Sequence, residues 1–402
     1  MRRIDLTKAQ AARSSTIRDI NRQIVLNYIR DREPISRAAI SRAAELQRST
    51  VSTIVEELKA EGLIEEIGAG KSTGGRRPTL LRVRAAGATA IGVDVKPSST
   101  TVAACDLVGR VIEREVIRND ARPDEMTRRV VECVRAVAAR GGEGAVAGIG
   151  VSLPGLVDTD TGRAVYIPFF RWRDWAVAED LARATGLVAR ADNDANAAAL
   201  AELWFGRPEV SEARDFIMVL VAEGIGTGIV FGGQIYRGER GAAGEFGHMV
   251  VGQNAPVACS CGNRDCWEAF ASERAAVARY LSNAGGAARE KEAADATVCF
   301  GEVVERALGG EQAAIDALTE TAHYLGVGIS NLIVGLSPEA VVVSGQITRA
   351  WPIVSATLEE AIRRSIRRGL PSARIVASTL REPTLMGAVS LVLSRKFGLA
   401  EV

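Results

Sequence analysis

Between Ile17 and Leu58 the apolar positions recur at helical spacing in three short bursts. In IRDINRQIVLNYIR, Ile20, Ile24, Val25, Tyr28 and Ile29 share one side of a helix over residues 17–30. A second short helix is expected after Pro34, with Ser36 as its N-cap and Ile40, Ala43 and Ala44 turned inward. After a break at LQRS, TVSTIVEELKAEG sets Val51, Ile54, Val55 and Leu58 at i, i+3, i+4 and i+7, a single buried stripe that Gly62 stops. LIEEIGAGKSTGGRRPTLLRV then reads as two strands around a Gly-rich loop.

From about residue 88 the pattern changes to strands alternating with helices. Expected strands are IGVDV, TVAACDL, AVAGIGVSL, LVARAD, DFIMVLVA, GTGIVFGG, EAVVVSG and ARIVAST. Helices are expected near 124–140, 177–185, 195–205, 272–283, 312–334, 352–367 and 384–396. This interleaving predicts an α/β body. IGVDV before a hairpin and FIMVLVAEGIGTGIVFGG begin alike, which predicts two related lobes with a ligand cleft between them.

Charge sharpens the first module. Residues 1–82 carry 16 Lys and Arg against 10 Asp and Glu, leaving 34 against 39 for the other 320 residues. A basic end on a mildly acidic body is the asymmetry expected when one end meets a polyanion. The outward face of the third helix begins with Gln47, Arg48, Ser49, Thr50, Ser52 and Thr53, hydrogen-bonding side chains suited to base edges and phosphates. The following loop adds Lys71, Arg76 and Arg77, as a wing along DNA would. Three short helices and a basic hairpin in this order resemble the winged helix-turn-helix of many bacterial repressors, so double-stranded operator DNA is the expected partner. No apolar run reaches the roughly 18 residues of a membrane span, and the basic N-terminus lacks the apolar core of a secretory signal. A cytoplasmic location follows as the expectation.

Three constellations carry the body's chemistry. In GEFGHMVVGQNAPVACSCGNRDCWEAF, one of only two histidines, His248, precedes Cys259, Cys261 and Cys266. Three thiolates and an imidazole form a closed tetrahedral set, which predicts a structural zinc. Glu245 and Glu268 bracket this knuckle, and carboxylates in a cleft accept hydrogen bonds from vicinal hydroxyls, as sugar recognition requires. In ARADNDANAAALAELWFG, Asn193 and Asp194 end a strand and open an Ala-rich helix. Asp194 can serve as its N-cap and can also take a proton from a sugar hydroxyl.

GVSLPGLVD, NDANAAALAE, EGIGTGIVFGG, GEFGH and CSCGNRDCWE, in this order across residues 88–396, resemble the ROK family. That family joins sugar kinases and sugar-responsive repressors, such as those answering to xylose or N-acetylglucosamine, in an actin-like two-lobed fold. The resemblance implies that Pro154, Gly155, Asn193, Asp194, Glu245, His248 and Glu268 border a sugar, with Asp194 at the position of the kinases' catalytic base. It implies a winged-helix domain over 1–82, a first lobe over 83–195 with 384–402, and a second over 196–383 that holds the zinc knuckle and a dimerisation surface.

Two departures concern the sugar side: Asp265 stands where a Gly is usual, and Phe169, Phe170 and Arg171 replace a segment that often carries an Asn. At the first hairpin the family's kinases carry D-x-G-G-T-K, but here Asp94, Val95, Lys96, Pro97, Ser98 and Ser99 follow one another without glycine. Glycine lets backbone N–H groups close on phosphate, and Pro97 has no N–H to offer. The second phosphate loop, GIGTG, is intact, and Ser344 replaces a Gly near the adenosine position. The expected function is a sugar-responsive repressor of a carbohydrate operon, a homodimer or homotetramer without enzyme activity. The alternative is a sugar kinase with an appended DNA-binding domain.

Overall fold

The apolar bursts of the first module fold into three helices and a small sheet. The computed structural model describes residues 14–70, 77–119, 122–141, 144–284, 298–365 and 372–397. Helix α1 runs Ser14–Arg32, strand β1 Ile35–Ser36, α2 Arg37–Ala43 and α3 Arg48–Ala60, followed by β2 Ile64–Ala69 and β3 Thr79–Val83. Ser36 caps α2, its Oγ accepting from the Ala39 N–H at 3.2 Å. Val51, Ile54, Val55 and Leu58 are all buried, and Gly62 takes the left-handed φ of 73° that ends α3.

Two details of this module differ from expectation. Of the residues assigned inward on α2, Ile40 is buried, Ala44 is half-buried and Ala43 is exposed. The helix is too short to turn a second residue into the core. Conversely, α1 buries Leu26 beside Val25 and Ile29, off the single expected face. Their cluster also contains Leu385, Val389, Val392 and Leu393 from the far end of the chain, so α1 is covered on more than one side.

The body contains two five-stranded sheets of the same design. In the first, β4 (Thr89–Val95), β5 (Ser99–Cys105) and β6 (Val111–Arg118) form an antiparallel meander. After α4 (Pro123–Arg140), β7 (Val146–Leu153) joins β4 in parallel. A small antiparallel sheet, β8 (Leu156–Asp158), β9 (Arg163–Ile167) and β10 (Trp172–Trp175), intervenes before α5 (Val177–Thr185). Strand β11 (Ala189–Asn193) then joins β7 in parallel, giving the order β11-β7-β4-β5-β6.

Helix α6 (Asp194–Phe205) and the short α7 (Pro208–Ser211) lead to the second sheet. It repeats the design: β12 (Phe216–Val221), β13 (Ile225–Phe231) and β14 (Gln234–Ile235) form the meander. Helices α8 (Trp267–Ala271), α9 (Glu273–Asn283), α10 (Phe300–Leu308) and α11 (Gln312–Leu336) follow. Strand β15 (Ala340–Ser344) joins β12 in parallel, α12 (Trp351–Ser365) crosses over, and β16 (Arg374–Ala377) joins β15. The order β14-β13-β12-β15-β16 matches the first sheet strand for strand. The likeness of the two strand–turn–strand openings therefore reflects one topology used twice.

The last helix, α13 (Pro383–Phe397), returns to the first sheet, packing on β4 and β7 and along α6. Helix α6 in turn packs on β12 and β13. Glycines permit these approaches: a methyl group at Gly387 would overlap the Ala197 carbonyl, and one at Gly92 would lie 2.9 Å from Val389.

Candidate functional site

A cleft of about 1010 Å³ lies between the two sheets. It is bordered by the β4–β5 turn, the turn after β7, the start of α6, the glycine turn before β13 and the approach to α13. Pro154, Gly155, Asn193, Asp194, Glu245, His248 and Glu268 all border it.

The junction of β11 and α6 sets the roles of two of these residues. Asn193, not Asp194, is the N-cap: its Oδ1 accepts from Ala195 N–H at 2.9 Å and Asn196 N–H at 3.2 Å. This corrects the capping role expected of Asp194. The chain turns one residue earlier because Asn193 has the extended backbone (φ −61°, ψ 148°) a cap needs, while Asp194 is already helical. The Asn193 Nδ2 donates to the Gly155 carbonyl at 3.1 Å, tying the Pro154–Gly155 turn to the helix start. Asp194 Oδ1 shares the Ala195 N–H at 2.8 Å, and its carboxyl borders the cleft. Burial pushes its carboxyl up to about 7, and the Asp94 and Glu245 carboxylates push the same way against the Ala195 N–H. A carboxyl poised near neutrality can accept a proton or a hydrogen bond from a hydroxyl.

Behind it lies a pair that the sequence did not disclose. Buried Asp192 receives the Arg237 Nε at 2.9 Å and Nη2 at 2.7 Å on one oxygen, and Asn196 Nδ2 at 3.2 Å on the other. Asp192 is one of four polar residues in ADNDAN, but no local pattern points to Arg237, which lies 45 positions away.

At the first hairpin, Asp94 is buried and receives the Thr384 hydroxyl at 2.8 Å, while Lys96 Nζ stands 3.3 Å from the same carboxylate oxygen. Burial raises the Asp94 pKa, and Lys96 opposes the rise. The chain's own ammonium thus occupies the space beside this carboxylate. Across the cleft, burial pushes Glu273 up to about 7, with Glu223 adding to the rise while Gln346 and Lys96 oppose it. Carboxylates on this wall repel a polyphosphate.

The glycine turn has a packing reason of its own. A methyl at Gly226 would lie 2.8 Å from Ala195 Cβ, and one at Gly228 would overlap the Ala195 carbonyl oxygen. A methyl at Gly224 would lie 2.7 Å from Glu268 Oε2. The GIGTG motif is therefore required for the start of α6 to meet β13, whether or not phosphate binds there.

The knuckle gathers as expected. Ligand atoms of His248, Cys259, Cys261 and Cys266 all lie within 4.8 Å of one another. His248 turns Nδ1 to Cys259 Sγ at 3.3 Å, and its Nε2 stands 3.5 Å from Glu245 Oε2. The sulfurs of Cys259 and Cys261 are 3.1 Å apart and those of Cys261 and Cys266 3.8 Å, far beyond the roughly 2.05 Å of a disulfide. Burial raises the Cys259 and Cys266 thiols, so a cation is needed to hold them as thiolates. A mixed sulfur–nitrogen set of four fits a metal ion of the zinc type.

Glu268 is shared between knuckle and cleft: its Oε1 accepts from the Ser260 N–H at 3.2 Å and hydroxyl at 3.1 Å. Burial raises the Glu245 pKa, which His248 opposes and Glu268 augments. Asp265 adopts a left-handed φ of 65°, the conformation a glycine would supply, and its Oδ1 accepts the Ala255 N–H at 2.9 Å. The departure therefore leaves the turn's shape intact.

Of Phe169, Phe170 and Arg171, only Phe169 borders the cleft. Phe170 packs on Trp172, with ring centroids 4.5 Å apart, and Arg171 is exposed. On the winged helix, Gln47, Arg48, Ser49 and Thr53 are exposed and Thr50 and Ser52 half-buried. Arg77 is exposed, whereas Lys71 and Arg76 lie outside the described residues. Arg37 and Lys59 are engaged by Glu56 and Glu66, but Arg48 and Arg77 have no ion pair among the described residues. They are available to phosphates. Among the described residues no helix is long and apolar enough to cross a membrane.

Comparison with known proteins bears on these features. Residues 90–395 match the model of the ROK family, and residues 18–65 match a winged helix-turn-helix DNA-binding model. A putative xylose repressor of Caldicellulosiruptor sp. (strain Rt8B.4) is 33% identical over 390 residues, covering 94% of this chain and 96% of the relative. A ROK family transcriptional regulator, described as a homolog of the E. coli MLC protein, superposes with a TM-score of 0.78 at 25% identity over 95% of this chain and 97% of its own. A ROK family glucokinase from Streptomyces griseus, in complex with glucose and AMPPNP, gives a TM-score of 0.66 at 28% identity, covering 75% of this chain and 98% of its own.

Proposed function

This chain belongs to the ROK family and carries a winged helix-turn-helix, and from that premise we propose that it is a sugar-responsive transcriptional repressor without kinase activity. The observation that carries the reading is a shared pair of helices. Both α6 and α13 begin at the cleft, the first with Asp194 and the second beside Thr384, whose hydroxyl holds Asp94. Both also reach the DNA-binding module. Trp204 near the end of α6 lies under the Arg30 guanidinium at 4.0 Å, and Leu385, Val389, Val392 and Leu393 of α13 share a core with α1. A sugar that moves the helix starts therefore moves the winged helix, and it shifts DNA affinity by as much as it prefers one arrangement.

In this reading Pro154, Gly155, Asn193, Asp194, Glu245, His248 and Glu268 hold the sugar. Gln47, Arg48, Ser49, Thr50, Ser52, Thr53, Lys71, Arg76 and Arg77 meet operator DNA. The three units are 1–82, 83–195 with 384–402, and 196–383. His248, Cys259, Cys261 and Cys266 hold a structural zinc, which would cross-link the segment of Glu245 to that of Glu268. Assembly as a homodimer or homotetramer would set two recognition helices against a palindromic site.

A kinase reading meets three obstacles: Lys96 beside Asp94, Pro97 in the turn, and carboxylates on the opposite wall. Phosphoryl transfer depends on positioning, which the first loop no longer offers. The test is a gel shift on the DNA upstream of the chain's own gene with a panel of sugars. Release or strengthening of the shift by a sugar supports the reading. Sugar-dependent ADP formation that disappears in Asp194→Asn would favour the kinase instead.

A further inference from the structure

We propose that the effector is an uncharged saccharide of at least two rings, and that Phe169 is the platform on which its second ring stacks. This rests on the sugar-sensing reading above and names the class of sugar.

Four aromatic side chains fall between residues 169 and 175, and three of them build the first lobe. Phe170 packs on Trp172, Trp172 meets Trp175 edge to face at 5.2 Å, and the Trp175 Nε1 donates to Thr127 Oγ1 at 2.9 Å. Phe169 alone of the four borders the cleft, 39% exposed. A large apolar ring left open to solvent on a cleft that also carries carboxylates is a surface awaiting an amphipathic partner. A pyranose is such a partner, with C–H groups on its faces and hydroxyls at its edge.

The backbone beside the ring is held in place. Arg171 and Asp174, neither of them glycine, adopt left-handed φ values of 55° and 51°. Such conformations persist only where the surroundings determine them, and they cluster at ligand clamps. Here the Arg171 N–H donates to the Pro168 carbonyl at 3.2 Å, Arg163 Nη1 donates to the Asp174 carbonyl at 2.8 Å, and Trp172 pairs with Ile167 across β9 and β10. The backbone that presents Phe169 is thereby preorganised.

Its place relative to the first ring follows from contacts. Asn193 donates to the Gly155 carbonyl, and a methyl at Gly155 would lie 3.2 Å from Pro168 Cδ. Phe169 thus follows directly on the Pro168 that packs against the turn tied to Asn193, and it borders the same cleft. The volume of about 1010 Å³ is shared between the side of Phe169 and Asn193 and the side of Asp94, Gly345 and Thr384, and it leaves room for more than one pyranose. Charge restricts the occupant: Asp94, Asp194, Glu223, Glu245, Glu268 and Glu273 border the cleft. The cations on the cleft are Lys96 and Arg349, beside Asp94 and Glu305, and Arg381 on the approach to α13. A phosphate or uronate held beside Asp194, Glu245 and Glu268 would meet carboxylates there.

Calorimetry on the full chain tests this with xylose against xylobiose, glucose against cellobiose, and glucose 6-phosphate. The disaccharide of one pair should bind at least tenfold more tightly than its monosaccharide. Phe169→Ala should erase that advantage and leave monosaccharide affinity within about twofold, whereas Phe169→Trp should preserve it. An unchanged thermal midpoint establishes that either variant is folded. Monosaccharides binding as tightly as disaccharides, an equal loss for both in Phe169→Ala, or tighter binding of glucose 6-phosphate than glucose would each overturn the inference while leaving sugar sensing intact. Absence of binding by every sugar would overturn sugar sensing itself.

Discussion

Asn193 and Asp194 are adjacent acceptors with opposite duties. Asn193 caps α6 through two N–H groups, and Asp194, which shares only the Ala195 N–H, borders the cleft with its carboxyl near 7. Asp194→Asn should weaken sugar binding about 10- to 100-fold, the loss expected when a hydrogen bond to a charged acceptor is replaced, measured by calorimetry at pH 8. The cap should persist because Asn193 supplies it. The same residue sets a pH dependence. Folding raises its pKa from the ordinary carboxylate range, so between about pH 4 and 7 the folded protein keeps a proton that the unfolded chain has released. Stability from this residue is full below about pH 4 and is lost as pH rises through 7. Asp194→Asn should therefore have the higher thermal midpoint at pH 8, with the difference vanishing near pH 4, a case in which a binding group is kept at the expense of the unliganded fold.

At the scale of elements, the glycine turn and the knuckle each brace the cleft. Gly228→Ala should lower the thermal midpoint measured without any nucleotide, by the equivalent of about 1–3 kcal/mol, because its methyl meets the Ala195 backbone. A turn conserving glycine only for phosphate would tolerate that change. Cys266→Ser, or treatment with a strong chelator, should release about one zinc per chain by metal analysis and weaken sugar binding by tenfold or more, since Glu245 and Glu268 lose their common brace. Elements of this kind differ in how readable they were. The long helices α4, α11 and α13 and the buried strands β4, β7, β12 and β15 carry periodic patterns, and their positions agree with expectation. Strand β6 was missed because it lies at a sheet edge where burial alternates out of step with hydrophobicity: Val111, Ile112 and Val116 are exposed while Glu113 and Glu115 are half-buried. Strand β10 was missed because the left-handed Asp174 breaks the two-residue period, burying Trp172 and Trp175 three positions apart. The cleft residues were legible as motifs. The long-range partners Arg237 and Thr384 were not, since tertiary pairing leaves no local trace.

For the whole molecule, the two repeated sheets form the cleft, and α6 with α13 connects it to the DNA-binding end. Trp204→Ala removes the ring beneath Arg30 at the far end of α6 and leaves the cleft untouched. Sugar affinity should stay within about twofold, while the sugar's effect on a gel shift should fall severalfold; a coupling lost without binding lost identifies the helix as the connection. The seam between α1 and α13 also bears on portability. Val25, Leu26 and Ile29 share a continuous apolar core with Leu385, Val389, Val392 and Leu393, residues more than 350 positions away in the chain. A reader head cut out and grafted onto another protein would arrive with a bare greasy flank, and the donor body would be left with the matching one. Rewiring such a sensor to a new promoter is therefore best done by exchanging the outward side chains of α3, leaving the joint as one piece.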